Sequence, residues 1–275
     1  MGYRTLMVHL EVGGDNAAVL QVARDLAERF KAGVIGIAAC QPVSITVGDS
    51  YVSGELIQAG ADELAAEIAA AEASFRAGFA GHAGLVEWRS TTEMEPLADY
   101  IARQARAADL VVTGVDHNDS MFDTTRHVGI GDLVTACGRP VLIVPAKVMR
   151  PIRRVLIGWQ DSQPARRAIA DALPLLALAE SVTIAEIVEA EGEELARLRL
   201  ADVVAWLARH GVAAQMRVEL SDGEVAAQLD ALANAVQADL VVAGAYGHAR
   251  LQEWILGGVT DDLLLTAERA TLVSH

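Results

Sequence analysis

The chain has little with which to hold an acidic polymer. Only 22 Lys and Arg stand against 37 Asp and Glu among 275 residues, a net charge of −15. Nucleic acid and anionic membrane surfaces are excluded as partners on that ground, because phosphate backbones demand clustered cations. A small anion remains admissible, since backbone amides bind one without net positive charge. Cysteine is scarce as well. Cys40 and Cys137 lie far apart in no metal-ligand spacing and read as inert buried thiols of an intracellular protein. No apolar run approaches the roughly 18 residues that a membrane span needs. The opening stretch MGYRTLMVHLEVGGDNAAV meets acidic and glycine residues too early for a signal peptide. Leu6 stands where a myristoylation motif wants Ser or Thr. Cytoplasm is the expected location.

What the chain does have is apolar residues, 52% of the total against 21% charged, which predicts globular order rather than disorder. Much of that fraction is alanine, a residue suited to helices lying close on a sheet. The chain also reads twice. ADLVVTG at Ala108–Gly114 returns as ADLVVAG at Ala238–Gly244. Each is followed at equal distance by an Asp-Leu pair, Asp132-Leu133 and Asp262-Leu263, and then by a short apolar run. RTLMVHL and RRVLIGW open the two copies. Such self-similarity predicts two homologous domains, 1–149 and 150–275, joined through the charged, proline-containing KVMRPIRR.

Within the second copy, strands and helices alternate. Val155–Trp159 is a β-branched and aromatic run, hence a strand. DSQPARRAIADALPLLALA follows as a helix, with Ser162 or Asp161 as its cap and Pro164 in its first turn. Strands are expected at Val182–Val188, Ala213–Val218 and Leu240–Ala243, with helices at Glu193–Arg209 and Gly223–Val236. The first copy repeats the order, with a longer middle section and a helix around Glu63–Phe79. Continuous apolar strands separated by amphipathic helices predict an α/β fold: two repeated open parallel sheets with helices on both faces.

In such a sheet a ligand sits beyond the carboxyl ends of the strands, where the strand order reverses. GAYGHARLQEWILGGVT, Gly244–Thr260, leaves a strand at that edge. Its glycines fall in two pairs, Gly244 with Gly247 and Gly257 with Gly258. Glycine lets a ligand approach the main chain with no Cβ in the way. The second pair precedes VTDDLLLTA, read as a helix whose N-terminus attracts anions. His248 and Arg250 are either phosphate-neutralising cations or solvated loop residues. Thr260 either donates to a phosphate or caps the helix. Leu251, Trp254 and Ile255 fall at helical spacing and are expected to pack inward. There is no Walker G-K-[ST], and the glycine pattern does not follow the first strand as a Rossmann fingerprint would.

Gly244-x2-Gly247-x9-Gly257, closing on Gly258-Val259-Thr260, resembles the nucleotide-binding signature of the universal stress protein family. The preceding strand, the opening strand-turn-Ser pattern and the repeated halves extend the resemblance over the whole chain, as in a tandem member. It implies a five-stranded parallel sheet of order 3-2-1-4-5 in each half and pairing of the halves through their last strands. It also implies ATP as cofactor, accompanied by Mg2+, and it leaves a homodimer of tandem chains open. Residue by residue, Gln160 stands where the family often has Asp, and Gly258 where it commonly has Ser. Ile187 and Ala243 match positions lining the adenine pocket. The candidate site is therefore Gln160, Ile187, Ala243, Gly244, Gly247, His248, Arg250, Gly257, Gly258, Val259 and Thr260, with no catalytic residue and no metal ligand assigned.

The first copy departs from the signature. In GVDHNDSMFDTTRHVGIGD, His117 replaces the second glycine, and Asp116, Asp119 and Asp123 enter the loop, while Glu11 lies near the family's Asp position. Like charges about 4 Å apart cost about 4 kcal/mol at an effective dielectric near 20, so this half is expected to bind no nucleotide and to serve as a fixed dimerisation partner. His117 and His127 with those aspartates are read as a solvated polar loop ahead of a divalent-metal site. The expected function is stress-response regulation by an adenine nucleotide held in the C-terminal half. The alternatives are a nucleotide-free interaction module and a slow ATPase using His248 and Arg250.

Overall fold

The computed structural model describes residues 2–42, 54–115, 125–146, 151–245 and 269–275. They divide into two compact units, Tyr3–Cys137 and Gly138–His275, the latter together with Met1–Gly2.

In the first unit the order is β1 (Thr5–His9), α1 (Ala17–Phe30), β2 (Gly33–Ala39), α2 (Gly54–Gly78), β3 (Val86–Thr91), α3 (Leu97–Gln104), β4 (Leu110–Gly114) and α4 (Ile130–Cys137). The strands lie parallel in the order β3-β2-β1-β4. The central strand β1 is buried from Leu6 to His9 and apolar through Leu6–Val8, as expected of a strand covered on both faces. Helix α1 turns Ala18, Val19, Val22, Ala23, Leu26 and Ala27 inward, the three-four spacing of an amphipathic helix. Gly36 of β2 makes room for aromatic packing from α2 and β3. A Cβ there would lie 2.6 Å from the Trp88 ring and 2.8 Å from Phe75.

In the second unit the order is β5 (Val141–Val144), β6 (Arg154–Gly158), α5 (Gln163–Leu176), β7 (Ser181–Val188), α6 (Glu193–Arg209), β8 (Ala214–Leu220), α7 (Val225–Ala235), β9 (Leu240–Gly244) and β10 (Ala270–Ser274). The strands run β5-β10-β9-β6-β7-β8. From β10 to β8 they are all parallel, so the second copy has the expected order 3-2-1-4-5. β5 lies antiparallel to β10, with Leu142 opposite Leu272. That pairing is why the last strand of the first sequence copy is counted with the second unit. Of the expected linker Lys147–Arg154, residues 147–150 lie outside the described residues, whereas Arg154 already belongs to β6; the expected helix after Val259 lies outside them altogether.

Helix α5 starts where its cap predicts. Ser162 is extended at φ −135° and ψ 160°, its side chain accepts from Ala165 N at 3.4 Å, and Pro164 falls in the first turn. The repeated ADLVV has a structural reason at its aspartate. Asp239 Oδ2 accepts the N–H of Arg153 and Arg154 at 3.1 and 2.9 Å. Asp109 Oδ2 does the same for Arg4 and Thr5 at 2.6 and 3.0 Å.

Candidate functional site

β6 leads through α5 to β7 on one side, whereas β9 precedes β10 on the other. The strand order therefore reverses between β6 and β9, which pair directly from Val155↔Leu240 to Gly158↔Ala243. Beyond their carboxyl ends lies a cavity of about 240 Å³. Ile187 of β7 and Ala243 of β9 line it, with Leu229 and Val225 of α7. Gln160 and Ser162 border it where the chain enters α5.

Four of the eleven candidate residues are thus brought to one crevice: Gln160, Ile187, Ala243 and Gly244. The other seven, Gly247, His248, Arg250, Gly257, Gly258, Val259 and Thr260, lie outside the described residues, as does Trp254. Gln160 offers a specific handle, because its Oε1 is buried and has no hydrogen-bond partner among the described residues. A buried acceptor left unpaired costs about 1–3 kcal/mol, and a ligand amino or hydroxyl group would relieve it.

Gly244 has a different reason from the one the motif suggests. A Cβ there would lie 2.3 Å from Ala165 N and 2.5 Å from the Pro164 carbonyl carbon. The space is taken by the first turn of α5, so this glycine sets how closely that helix end approaches the strand. The amino end of α5 is thereby held against the crevice, and Ser162 spends its side chain on the helix cap.

The motif did not disclose Glu186, Ser221, Val225 or Leu229, which also line the crevice. Glu186 had a signal: it is a lone carboxylate in the apolar run Ser181–Val188. It is only 5% exposed, and its Oε1 accepts from Arg199 Nη2 of α6 at 2.6 Å. Its second oxygen has no partner among the described residues. The α7 residues gave no signal, since their helical spacing reads as core.

At the corresponding strand ends of the first unit the described carboxylates have partners of their own. Arg126 Nη1 bonds Glu67 Oε1 of α2 at 3.1 Å, and His127 Nδ1 lies against the Glu11 carboxylate. Gln41 N, just past β2, donates to Thr125 O at 2.7 Å. Beneath them Val12, Ala38, Cys40, Leu64 and Ile68 form an apolar cluster with Trp88 packed against it. Burial pushes the Cys40 thiol up, the nearby Arg126 opposes this, and Glu67 adds to it. Glu11 and Glu67 therefore each face a partner, the His127 imidazole and the Arg126 guanidinium. Asp116, His117, Asp119 and Asp123 lie outside the described residues. Among the described residues no group of three or more His, Cys, Asp or Glu is placed to hold a metal ion. None of the described helices is long and apolar enough to cross a membrane.

With the reversed strand order, the crevice and the glycine at its edge in place, comparison with known proteins is decisive for the second half. Residues 151–275 match the model of the universal stress protein family. The C-terminal half belongs to the universal stress protein family. A universal stress protein from Archaeoglobus fulgidus DSM 4304 superposes with a TM-score of 0.74 at 14% identity, covering 98% of this chain and 95% of its own. A functionally unknown protein from Pseudomonas aeruginosa PAO1 gives a TM-score of 0.57 at 16% identity over 99% and 92% of the two chains. At such identities the likeness is one of fold. It extends over the whole chain, so two universal-stress-protein folds in one polypeptide fit a tandem member of the family. Among curated proteins none matches the chain.

Proposed function

We propose that the C-terminal unit binds an adenine nucleotide in the crevice between β6, β7 and β9, as the ligand-responsive half of a cytoplasmic stress-response protein. The observation that carries this reading is the convergence of Gln160, Ile187, Ala243 and Gly244 on one cavity at the strand-order reversal. Apolar walls and two unpaired acceptors, Gln160 Oε1 and Glu186 Oε2, suit a heteroaromatic base and the donors that an adenine nucleoside carries. ATP, with Mg2+ on its phosphates, is the leading ligand. In this reading the phosphates lie toward Gly247, His248, Arg250 and Gly257–Thr260. Binding shifts the population of states that a protein partner recognises. The domains are 1–149, with a degenerate motif and no nucleotide, and 150–275. The two pair within one chain, and the tandem chain is free to form a homodimer.

A nucleotide-free interaction module is the second reading, favoured by Glu186 and Glu189, two carboxylates on the crevice lining that oppose a polyphosphate. Calorimetric titration with ATP, ADP, AMP and adenosine separates the two. The nucleotide reading expects saturable binding that is lost in Ile187→Trp, where the indole occupies the base pocket, and in Gly247→Asp. It also expects thermal stabilisation, about 2.7 kcal/mol at a hundred times the dissociation constant. No binding of any of the four ligands, with the melting temperature unmoved by millimolar ATP, overturns it.

A further inference from the structure

β8 is an edge strand: β7 pairs with it on one side, and no described strand pairs with it on the other. An open edge carries a row of unpaired backbone groups that another strand can use. Which residues supply them follows from the ladder. Ser221 N donates to Val188 O at 2.8 Å, next to the register pair Val188↔Leu220. In a parallel ladder, residues that bond one neighbour alternate with residues that face the other way. Met216, Val218 and Leu220 therefore direct their N–H and C=O groups away from β7. The Leu220 carbonyl agrees with this, since it accepts from Gln228 Nε2 of α7 at 2.8 Å.

The side chains of this edge are unmatched within their own unit. Met216 and Leu220 are 41% and 50% exposed, and with Val218 they share one face of the strand. Arg217 and Glu219 share the other face, and no side-chain hydrogen bond or ion pair joins either to another described residue. The edge strand of the first unit, β3, differs. Its Arg89 is bonded to Gln104 Oε1 and Glu87 Oε2, and none of its large apolar side chains is exposed.

Against a copy of itself the β8 edge is complementary. Two such strands can lie antiparallel about a two-fold axis at Val218. Val218 then exchanges N–H and C=O bonds with Val218 of the second copy, and Leu220 N–H meets Met216 C=O of the second copy. On one face Met216 packs on Leu220 of the second copy. On the other, Arg217 lies opposite Glu219 of the second copy, at the non-hydrogen-bonded position where opposed side chains stand closest. Moving the axis by one residue sets Arg217 against its own copy, or Glu219 against its own, and like charges directly opposite repel. The charges thus select one register, and the two-fold closes the assembly at two copies.

We propose that β8 is the docking surface for a second copy of this chain, through antiparallel β8–β8 pairing centred on Val218. This assigns a surface to the homodimer. It stands separately from nucleotide binding, because residues 214–220 are not among those lining the β6–β9 crevice.

The test is sedimentation equilibrium of the full chain, without nucleotide, from micromolar to near-millimolar concentration. The expected result is a monomer–dimer equilibrium with no larger species. The dissociation constant should rise at least about tenfold in Arg217→Glu and likewise in Glu219→Arg, because the two-fold places each substitution at the interface twice. Combining Arg217→Glu with Glu219→Arg restores opposite charges and should return the constant to within about threefold of the parent. Val218→Pro removes an N–H that β7 does not use, a change that edge strands tolerate, and should abolish the dimer. Arg217 is exposed, so Arg217→Glu is expected to fold; if Val218→Pro does not, the charge variants decide alone. A monomer at every concentration, open-ended polymers, a dimer indifferent to Arg217→Glu, or a double variant as weak as the single ones overturns the proposal.

Discussion

Asp239 ties the start of β9 to the start of β6: one carboxylate oxygen accepts the backbone N–H of Arg153 at 3.1 Å and of Arg154 at 2.9 Å. These are charge-assisted bonds from two backbone donors to one carboxylate oxygen. Replacing the carboxylate should cost about 1.5–3 kcal/mol, the range for bonds to a charged group. Asp239→Ala is expected to lower the unfolding free energy by that amount, read as a lower urea midpoint with the slope unchanged. Asp239→Asn, which keeps one acceptor oxygen, should lose less. The first unit has the same arrangement at Asp109, and Asp109→Ala should behave alike.

This pair also shows what in the sequence was legible. ADLVV was readable as a repeated strand, and with it the two-copy α/β plan, because periodicity and apolar runs are local properties. Helix α6 came out at Glu193–Arg209 as expected, and Ser162 caps α5 as expected. The reason for the aspartate was not readable, because its partners lie more than 80 residues away. Helix α2 begins at Gly54, well before the expected Glu63. Its N-terminal turns carry Gly54 and Gly60, poor helix formers that hide the earlier start. At the site, Gln160, Ile187 and Ala243 came from the family resemblance, whereas Glu186 needed the contact with Arg199 to be noticed.

Gly244→Ala tests whether this glycine serves packing. A Cβ 2.3 Å from Ala165 N meets backbone, which cannot swing aside as a side chain can. Overpacking of this kind costs about 1–3 kcal/mol. The variant should melt lower even in the absence of any ligand. A role confined to ligand approach would instead leave the melting temperature of the free protein unchanged and alter binding only.

The Glu186–Arg199 pair should be strongly asymmetric to mutation. Glu186 is 5% exposed, so Arg199→Ala strands a buried carboxylate, and loss of one partner of a buried pair costs about 3–5 kcal/mol. The Arg199 side chain is 26% exposed, which places the expected loss at the lower end. Glu186→Gln combined with Arg199→Ala removes the stranded charge and should recover much of the stability. Chemical denaturation of the single and double variants measures the coupling directly.

His9 sets a pH dependence with a definite sign. It is 5% exposed at the end of β1, with Nδ1 2.8 Å from Thr113 Oγ1, and Nε2 has no partner among the described residues. Burial disfavours the imidazolium and lowers the pKa from 6.5 to about 4. The unfolded chain therefore binds this proton more readily than the folded one. Stability from this group is complete above pH 6.5 and is lost as the pH falls from there toward 4. The loss across that window is about 3 kcal/mol at 1.36 kcal/mol per pH unit. His9→Asn keeps a polar group beside Thr113 but does not titrate. The difference in unfolding free energy between parent and variant should therefore shift by about that amount between pH 7 and pH 4. A difference that stays constant over this range would mean that His9 is protonated, or exposed, in the folded protein.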